Sequence, residues 1–175
     1  MILRNDMVYL RALEPEDVDL LYFWENNPEI WKVSSTLAPF SKFTLTNYVL
    51  EESQKDVFSA KQLRLAIADS KTDIMVGMLD LFDFEPVDSR ASIGIMINEK
   101  AGRQKGYAKN ALALFAEYCK KILCLHQIYA RTDVSNVAAV ALFEKSGFSR
   151  CGLLKDWHRN EDGWHDQIEF QKILE

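Results

Sequence analysis

Residues 91 to 122 carry a strand and a helical period back to back, and the joint between them constrains the fold more than any other feature of the chain. Ala91 to Ile97 reads as a strand. Ala108, Ala111, Leu112, Phe115, Cys119 and Ile122 then recur at helical spacing and make one apolar face. Lys105, Lys109, Glu117, Lys120 and Lys121 lie mostly on the other face, and the last two suit the negative end of the helix dipole. The joint is Arg103-Gln104-Lys105-Gly106-Tyr107-Ala108-Lys109. Gly106 has no Cβ, so the backbone there can approach a ligand closely. The first amides of the helix are unpaired and sit at its positive end. That combination is a place for phosphate, although a capped helix with an ordinary glycine before it has the same look.

A second segment narrows the choice. Asn136-Val137-Ala138-Ala139-Val140-Ala141-Leu142-Phe143-Glu144-Lys145-Ser146-Gly147-Phe148 reads as a short helix from Asn136 to Ser146. Ser135 or Asn136 caps its start. Gly147 stands where a left-handed stop residue is wanted, and Phe148 can fold back as its apolar contact. Around these segments the pattern predicts strands at Val8–Leu13, Leu63–Ala68, Ile74–Phe84 and Gln127–Asp133, with turns at Asp69–Asp73 and Pro86–Ser89. A helix runs from Pro15 to about Asn26, where Asn27-Pro28 stops it. Residues 29 to 43 read as loop or short helix, and Thr44 to about Val57 as a helix. Two last strands, 148–159 and 164–172, meet around Glu161-Asp162-Gly163. The order is β-α-α-β-β-β-α-β-α-β-β in one α+β domain spanning residues 1–175, with a central sheet covered by helices.

Charge and cysteines exclude some classes. There are 21 Lys and Arg against 26 Asp and Glu, a net −5, which does not suit tracking nucleic-acid phosphates and suits a cationic partner better. No apolar run approaches the ~20 residues needed to cross a bilayer, and Met1 to Asp6 lacks the apolar core of a signal peptide. Cys119, Cys124 and Cys151 are odd in number and show no Cys-x-x-Cys, so they read as reduced thiols of a cytoplasmic protein.

The two segments together resemble the acyl-CoA-dependent N-acetyltransferases of the GNAT superfamily. The family's first motif is Arg or Gln, two residues, Gly, one residue, then Gly or Ala, which Arg103, Gly106 and Ala108 match. The resemblance implies that amides of Gln104, Lys105, Gly106, Tyr107, Ala108 and Lys109 hold the pyrophosphate of acetyl-CoA. It implies that the helix bearing Asn136, Phe143 and Lys145 lies along the pantetheine arm. It also implies a mixed, mostly antiparallel sheet flanked by helices, whose strands splay apart at the cofactor. There the open edge at Ile95, Met96 and Ile97 would pair with pantetheine as with an added strand. The resemblance covers nearly the whole chain. Leu10-Arg11-Ala12-Leu13, Asp17, Leu21, Trp24 and Asn27-Pro28 look like the subgroup that acetylates ribosomal-protein N-termini. Polyamine acetyltransferases share much of that pattern, and Val76-Gly77-Met78-Leu79-Asp80-Leu81 is similar to theirs.

Four departures qualify what carries over. Gln104 stands where the subgroup often has another glycine, and the usual proline near 98 to 100 is missing. Neither removes a backbone amide. Phe143 stands at the position of the tyrosine that protonates the leaving thiolate in many members, and Ser92 at that of a glutamate thought to be the base. Acetyl transfer to an amine needs a free amine, which holds its proton to pH ~10. It also needs a donor for the developing oxyanion, and Ile97 N–H is the candidate. The departing thiolate has a pKa near ~8.5, so a proton donor helps without being obligatory.

Asp80 is the candidate base or amine anchor, and Asp83 and Asp166 are further candidates for holding the acceptor. Asp80 and Asp83 fall on opposite faces of a regular strand, so a bulge is needed to bring both to one side. His158 and His165 face each other across the last hairpin if its turn centres on residues 161 and 162, but no third metal ligand stands at a fixed spacing. The sequence thus points to an N-acetyltransferase that takes acetyl-CoA as cosubstrate and a primary amine by direct attack. The acceptor is a protein N-terminus, a polyamine or another small amine, and a homodimer is open by family analogy. The alternative is an acyl-CoA-binding sensor, an inactive module of the same fold, and it rests on Phe143 and Ser92.

Overall fold

The structure, a computed structural model, describes residues 3–34, 36–52, 54–98, 106–160 and 162–175. Seven strands form one sheet in the order β1 (Val8–Arg11), β2 (Leu63–Asp69), β3 (Met75–Glu85), β4 (Arg90–Ile97), β5 (Gln127–Asp133), β7 (Gly163–Ile173), β6 (Ser149–Asn160). All neighbours are antiparallel except β4 and β5. That parallel step needs a crossover, and the connection carries α5 (Tyr107–Lys121).

The N-terminal connection from β1 to β2 is helical. A 3-10 turn at Pro15–Asp17 leads into α1 (Val18–Glu25), followed by α2 (Pro28–Ser34), α3 (Lys42–Glu52) and α4 (Val57–Ala60). Arg11 grips Asp17 with two hydrogen bonds of 2.6 and 2.8 Å, and Asp17 also accepts from Glu14 N–H. Pro28 follows the end of the first helix as expected and opens the short helix α2 in the stretch read as loop or short helix, because proline suits a first helical position. One expectation changes here. The single helix expected over 44–57 is two. Asp56 caps α4 by accepting from Phe58 and Ser59 N–H, which starts a new helix.

Two apolar clusters sandwich the sheet. One face of the strands packs Leu65, Ile67, Leu79, Leu81, Ile93, Ile128, Ala130, Ile168 and Phe170 against Ala111, Leu112, Phe115 and Cys119 of α5 and against α6 (Val137–Lys145). The helical spacing at 111–119 thus buries as the sequence predicts. Burial also pushes the Cys119 thiol up to about 12, which suits packing and not nucleophilic attack. The opposite face packs Ala66, Met75 and Met78 against Leu21, Trp24, Leu45 and Val49, with Met96 of β4 partly buried beside them. Further along that face β5 turns Tyr129, Arg131 and Asp133 outward, opposite the buried Ile128, Ala130 and Thr132.

Candidate active site

The parallel pair β4–β5 is short. Arg90–Gln127, Ala91–Ile128 and Ser92–Tyr129 are joined, and then β4 runs on to Ile97 and β5 to Asp133 without further pairing to each other. The polarity of the exposed edge follows from the ladder. Asn98 N–H donates to Val76 on β3, while Ser89 C=O accepts from Gln127 N–H on the other side. Antiparallel alternation then turns the backbone groups of Ser92, Gly94 and Met96 toward β3 and those of Ile95 and Ile97 toward the gap. The backbone edge is therefore Ile95 and Ile97. Met96, expected with them, spends its backbone on Met78 and its side chain on the N-terminal cluster. Gly77, beside this stretch, is where β3 presses on β4: a Cβ there would lie 2.2 Å from Met96 O.

At the end of β4 the chain passes through residues outside the described set, which include Arg103, Gln104 and Lys105. It returns at Gly106, the N-cap of α5, with φ +86. Only glycine adopts that conformation readily. Among the described residues no side chain caps the helix, which leaves its first amides for a ligand. Gly106 C=O is occupied instead, accepting from Asn110 N–H and from Asn110 Nδ2. Tyr107 starts the helix with its hydroxyl donated to Asp69, and Lys109 is exposed. A glycine cradle, an uncapped helix and an open strand edge fit a diphosphate joined to an amide-bearing arm.

On α6, Asn136 Oδ1 accepts from Ala139 N–H at 3.1 Å, so this side chain serves as the cap. The helix ends as expected. Gly147 has φ +81, Gly147 N–H donates to Glu144 C=O, and Phe148 N–H reaches back to Phe143 C=O. Lys145 lies exposed in the last turn. Phe143 is 4% exposed, with its ring 5.2 Å from that of Phe148 and 5.4 Å from that of Phe170. It is an aromatic core residue, and it carries no proton for a thiolate.

The opposite face holds a charged cluster that sequence reading saw only in part. Arg64 on β2 donates to Asp80 at 2.5 and 3.0 Å and to Glu25, at the end of α1, at 2.5 Å. Its guanidinium also lies 5.7 Å from the Tyr48 ring centre. Burial works against the Arg64 charge, but attraction to and hydrogen bonding with Asp80, then the fields of Tyr48 and Glu25, outweigh it and raise the pKa. Asp80 is thus held in an ion pair with Arg64. Arg64 and Glu25 were missed. The available signal was an arginine in an otherwise apolar strand.

Asp83 sits in a bulge where the β3–β4 pairing shifts between Phe82 and Glu85, with φ +50. The bulge breaks the alternation that would have opposed it to Asp80. Burial, then the charge of Asp83, raises the pKa of Tyr129 across the sheet. Ser92 is 3% exposed between Phe82 and Tyr129, at the point where β4 and β5 part. Asp166 accepts from Asp156 N–H at 2.9 Å and so braces the last hairpin. His158 and His165 do pair across that hairpin, but their rings go elsewhere. His158 bonds Asn160, whereas His165 bonds Asp162 at 2.8 Å and lies 3.3 Å from Asp133. Hydrogen bonding to Asp162 is the main cause of its raised pKa, which burial opposes and the charges of Asp162 and Asp133 reinforce.

Comparison with known proteins agrees with this geometry. A family model described as an acetyltransferase (GNAT) domain matches residues 8–149. A spermidine N(1)-acetyltransferase of Vibrio cholerae is 27% identical over 172 residues, which is 98% of this chain and 95% of that protein. An uncharacterized N-acetyltransferase, p20, of Bacillus licheniformis is 24% identical and covers 90% of this chain and 87% of its own. The crystal structure of spermidine N-acetyltransferase from Vibrio cholerae with CoA and spermine superposes with a TM-score of 0.86 at 24% identity, covering 97% of each chain. The chain belongs to the GNAT acetyltransferases and is an N-acetyltransferase that moves an acetyl group from acetyl-CoA to a primary amine.

Proposed function

We propose that the acceptor is a small polyamine, bound on the face of the sheet that carries Asp80, and that acetyl-CoA enters from the α5–α6 side through the gap between β4 and β5. The observation that carries the reading is the Glu25–Arg64–Asp80 cluster. Two carboxylates share one guanidinium, so it keeps a net negative charge beside the open part of β4, where Asp80 pairs with Gly94. Asp83, turned out by its bulge, adds a second carboxylate on the same strand. Such a surface favours an extended cation with several ammonium groups over the single charge of a protein N-terminus. The relatives named for spermidine acetylation support the same choice.

Acetyl-CoA supplies an activated acetyl group. In this reading the amides of Gly106, Tyr107, Ala108 and Lys109 hold its diphosphate, joined by Arg103, Gln104 and Lys105 from the outlying part of the motif. Ile95 offers backbone groups to the pantetheine arm, and Ile97 N–H donates to the carbonyl oxygen as charge develops on it. Asp80 anchors an ammonium group remote from the reacting one. The reacting amine gives its proton to water, because Ser92 offers no carboxylate and Asp80 is held by Arg64. Phe143 leaves the thiolate to depart unprotonated.

Free-thiol release tests the assignment with spermidine, a peptide bearing a free N-terminus and an aminoglycoside as acceptors. Spermidine gives the highest kcat/KM. Preference for the peptide refutes the polyamine assignment and leaves the acetyltransferase intact.

A further inference from the structure

Three segments distant in sequence converge under the start of α5. Tyr107 Oη donates to Asp69 Oδ2 at 2.6 Å. The other oxygen of Asp69 accepts from Lys71 N–H, Thr72 N–H and Thr72 Oγ1, so the β2–β3 turn holds this carboxylate from its own side. None of these four donors is an amide of α5. Beside them, Asn5 Nδ2 donates to Asn110 Oδ1 at 3.2 Å, and Asn110 Nδ2 donates to Gly106 C=O at 3.0 Å and lies 3.3 Å from the Met7 sulfur. Ser70 closes the set, with its Oγ donating to Asn5 C=O and its N–H to Met7 C=O. The N-terminal segment, the β2–β3 turn and the first turn of α5 form one hydrogen-bonded unit.

This unit sits under the first turn of α5. Gly106 leaves the chain free to turn, and among the described residues no side chain caps α5 to hold its first residues. A helix start that must present amides to a dianion gains from being fixed before the ligand arrives, because ordering on binding costs affinity. We propose that the Asp69–Tyr107 hydrogen bond, braced by Asn5 and Asn110, is a positioning device that presets the start of α5 for the diphosphate of the acyl donor. Asp69 and the Tyr107 hydroxyl are positioning groups in this scheme, acting through the backbone at 106–109. The inference rests on the reading that this loop holds the diphosphate.

The bond has a charged acceptor. Its donation, followed by the turn amides, takes Asp69 down to about 2. It is charge-assisted at neutral pH and stronger than a neutral pair.

The test compares two donors, acetyl-CoA and S-acetylpantetheine, which keeps the thioester and arm but lacks the diphosphate. Tyr107→Phe removes one oxygen, and Asp69→Asn removes the charge while keeping an acceptor for the turn. Each lowers kcat/KM for acetyl-CoA by about threefold to tenfold through KM, the range of one charge-assisted hydrogen bond in a partly exposed setting. With S-acetylpantetheine the change stays within about twofold, since that donor does not use the amides. The double variant is no worse than the poorer single, because both remove one bond. Thermal midpoints are read alongside. Gly106→Asp in the same assay separates the two claims. If it loses the preference for acetyl-CoA while Tyr107→Phe and Asp69→Asn keep it, or lower both donors equally, the latch is structural only and the proposal falls. If all three variants keep the preference, the diphosphate does not lie on this loop, and the underlying reading falls with it.

Discussion

The two sides of the sheet at the β4–β5 gap are built from different materials. The side proposed for the donor is backbone: the open edge at Ile95 and Ile97, the uncapped start of α5 and the glycine at 106. The side proposed for the acceptor is side chain: Glu25, Arg64 and Asp80, with Asp83 turned out by a bulge. Backbone amides present the same groups whatever the side chain, so a motif of a few residues suffices to mark the donor site. Side-chain recognition changes with each substitution.

The contrast breaks most readily at Gly106. A carboxylate there must adopt φ +86 and face a dianion, and a strained backbone costs about 1–3 kcal/mol before the repulsion is counted. Gly106→Asp is expected to weaken acetyl-CoA at least about 100-fold by calorimetric titration. Retained binding would show that donor recognition is not local to this backbone. Removing Arg64 is the next largest effect and falls on the other side. Arg64→Met leaves Glu25 and Asp80 facing each other without their shared cation, and breaking this part-buried pair costs about 1–3 kcal/mol in denaturant unfolding, between the values for exposed and fully buried pairs. An unchanged midpoint would mean that solvent already screens the cluster.

Asp80→Asn sharpens the comparison kinetically. It is expected to raise KM for spermidine about tenfold, the order of one ammonium–carboxylate contact, with KM for acetyl-CoA unmoved. A matching rise in both constants would erase the division between the two sides. Phe143→Tyr restores a proton donor at a position whose ring is packed between Phe148 and Phe170. Turnover is expected to rise about tenfold, below the ~10²–10⁴ of a well-placed acid, because a hydroxyl placed in an aromatic cluster is poorly accommodated. A variant slower than the parent would show that no proton is wanted there.

The smallest effect is at His165, whose pKa is raised by Asp162 and Asp133. A raised folded-state pKa gives stability that is fully present below the ordinary histidine value of about 6.5 and is lost as pH rises through the higher folded value. The stability difference between parent and His165→Gln should therefore shrink with increasing pH across that window. A difference independent of pH would assign His165 to packing.

Where the sequence was legible, one residue did one local job. Gly147 stops α6 with φ +81 and Phe148 folds back on Phe143, both readable from a glycine–phenylalanine pair after a helical run. The last hairpin brings His158 opposite His165 because its turn length fixes the register. Legibility failed where a position depends on distant partners. Ile95 and Ile97 face the gap while Met96 does not, and that follows from the register with β3. Asp80 is already paired because Arg64 lies opposite it on β2, and the same arginine reaches Glu25, 39 residues away in sequence.

By itself the sequence determined the seven strands and the two helices that follow β4, since period, capping and glycine conformation act over a few residues, and its motifs carried the resemblance that gave the family and the donor. Only the tertiary structure decided which edge of β4 is open, which carboxylate is already paired and what braces the start of α5. Those answers depend on sheet register and on contacts between segments tens of residues apart, which no local pattern encodes.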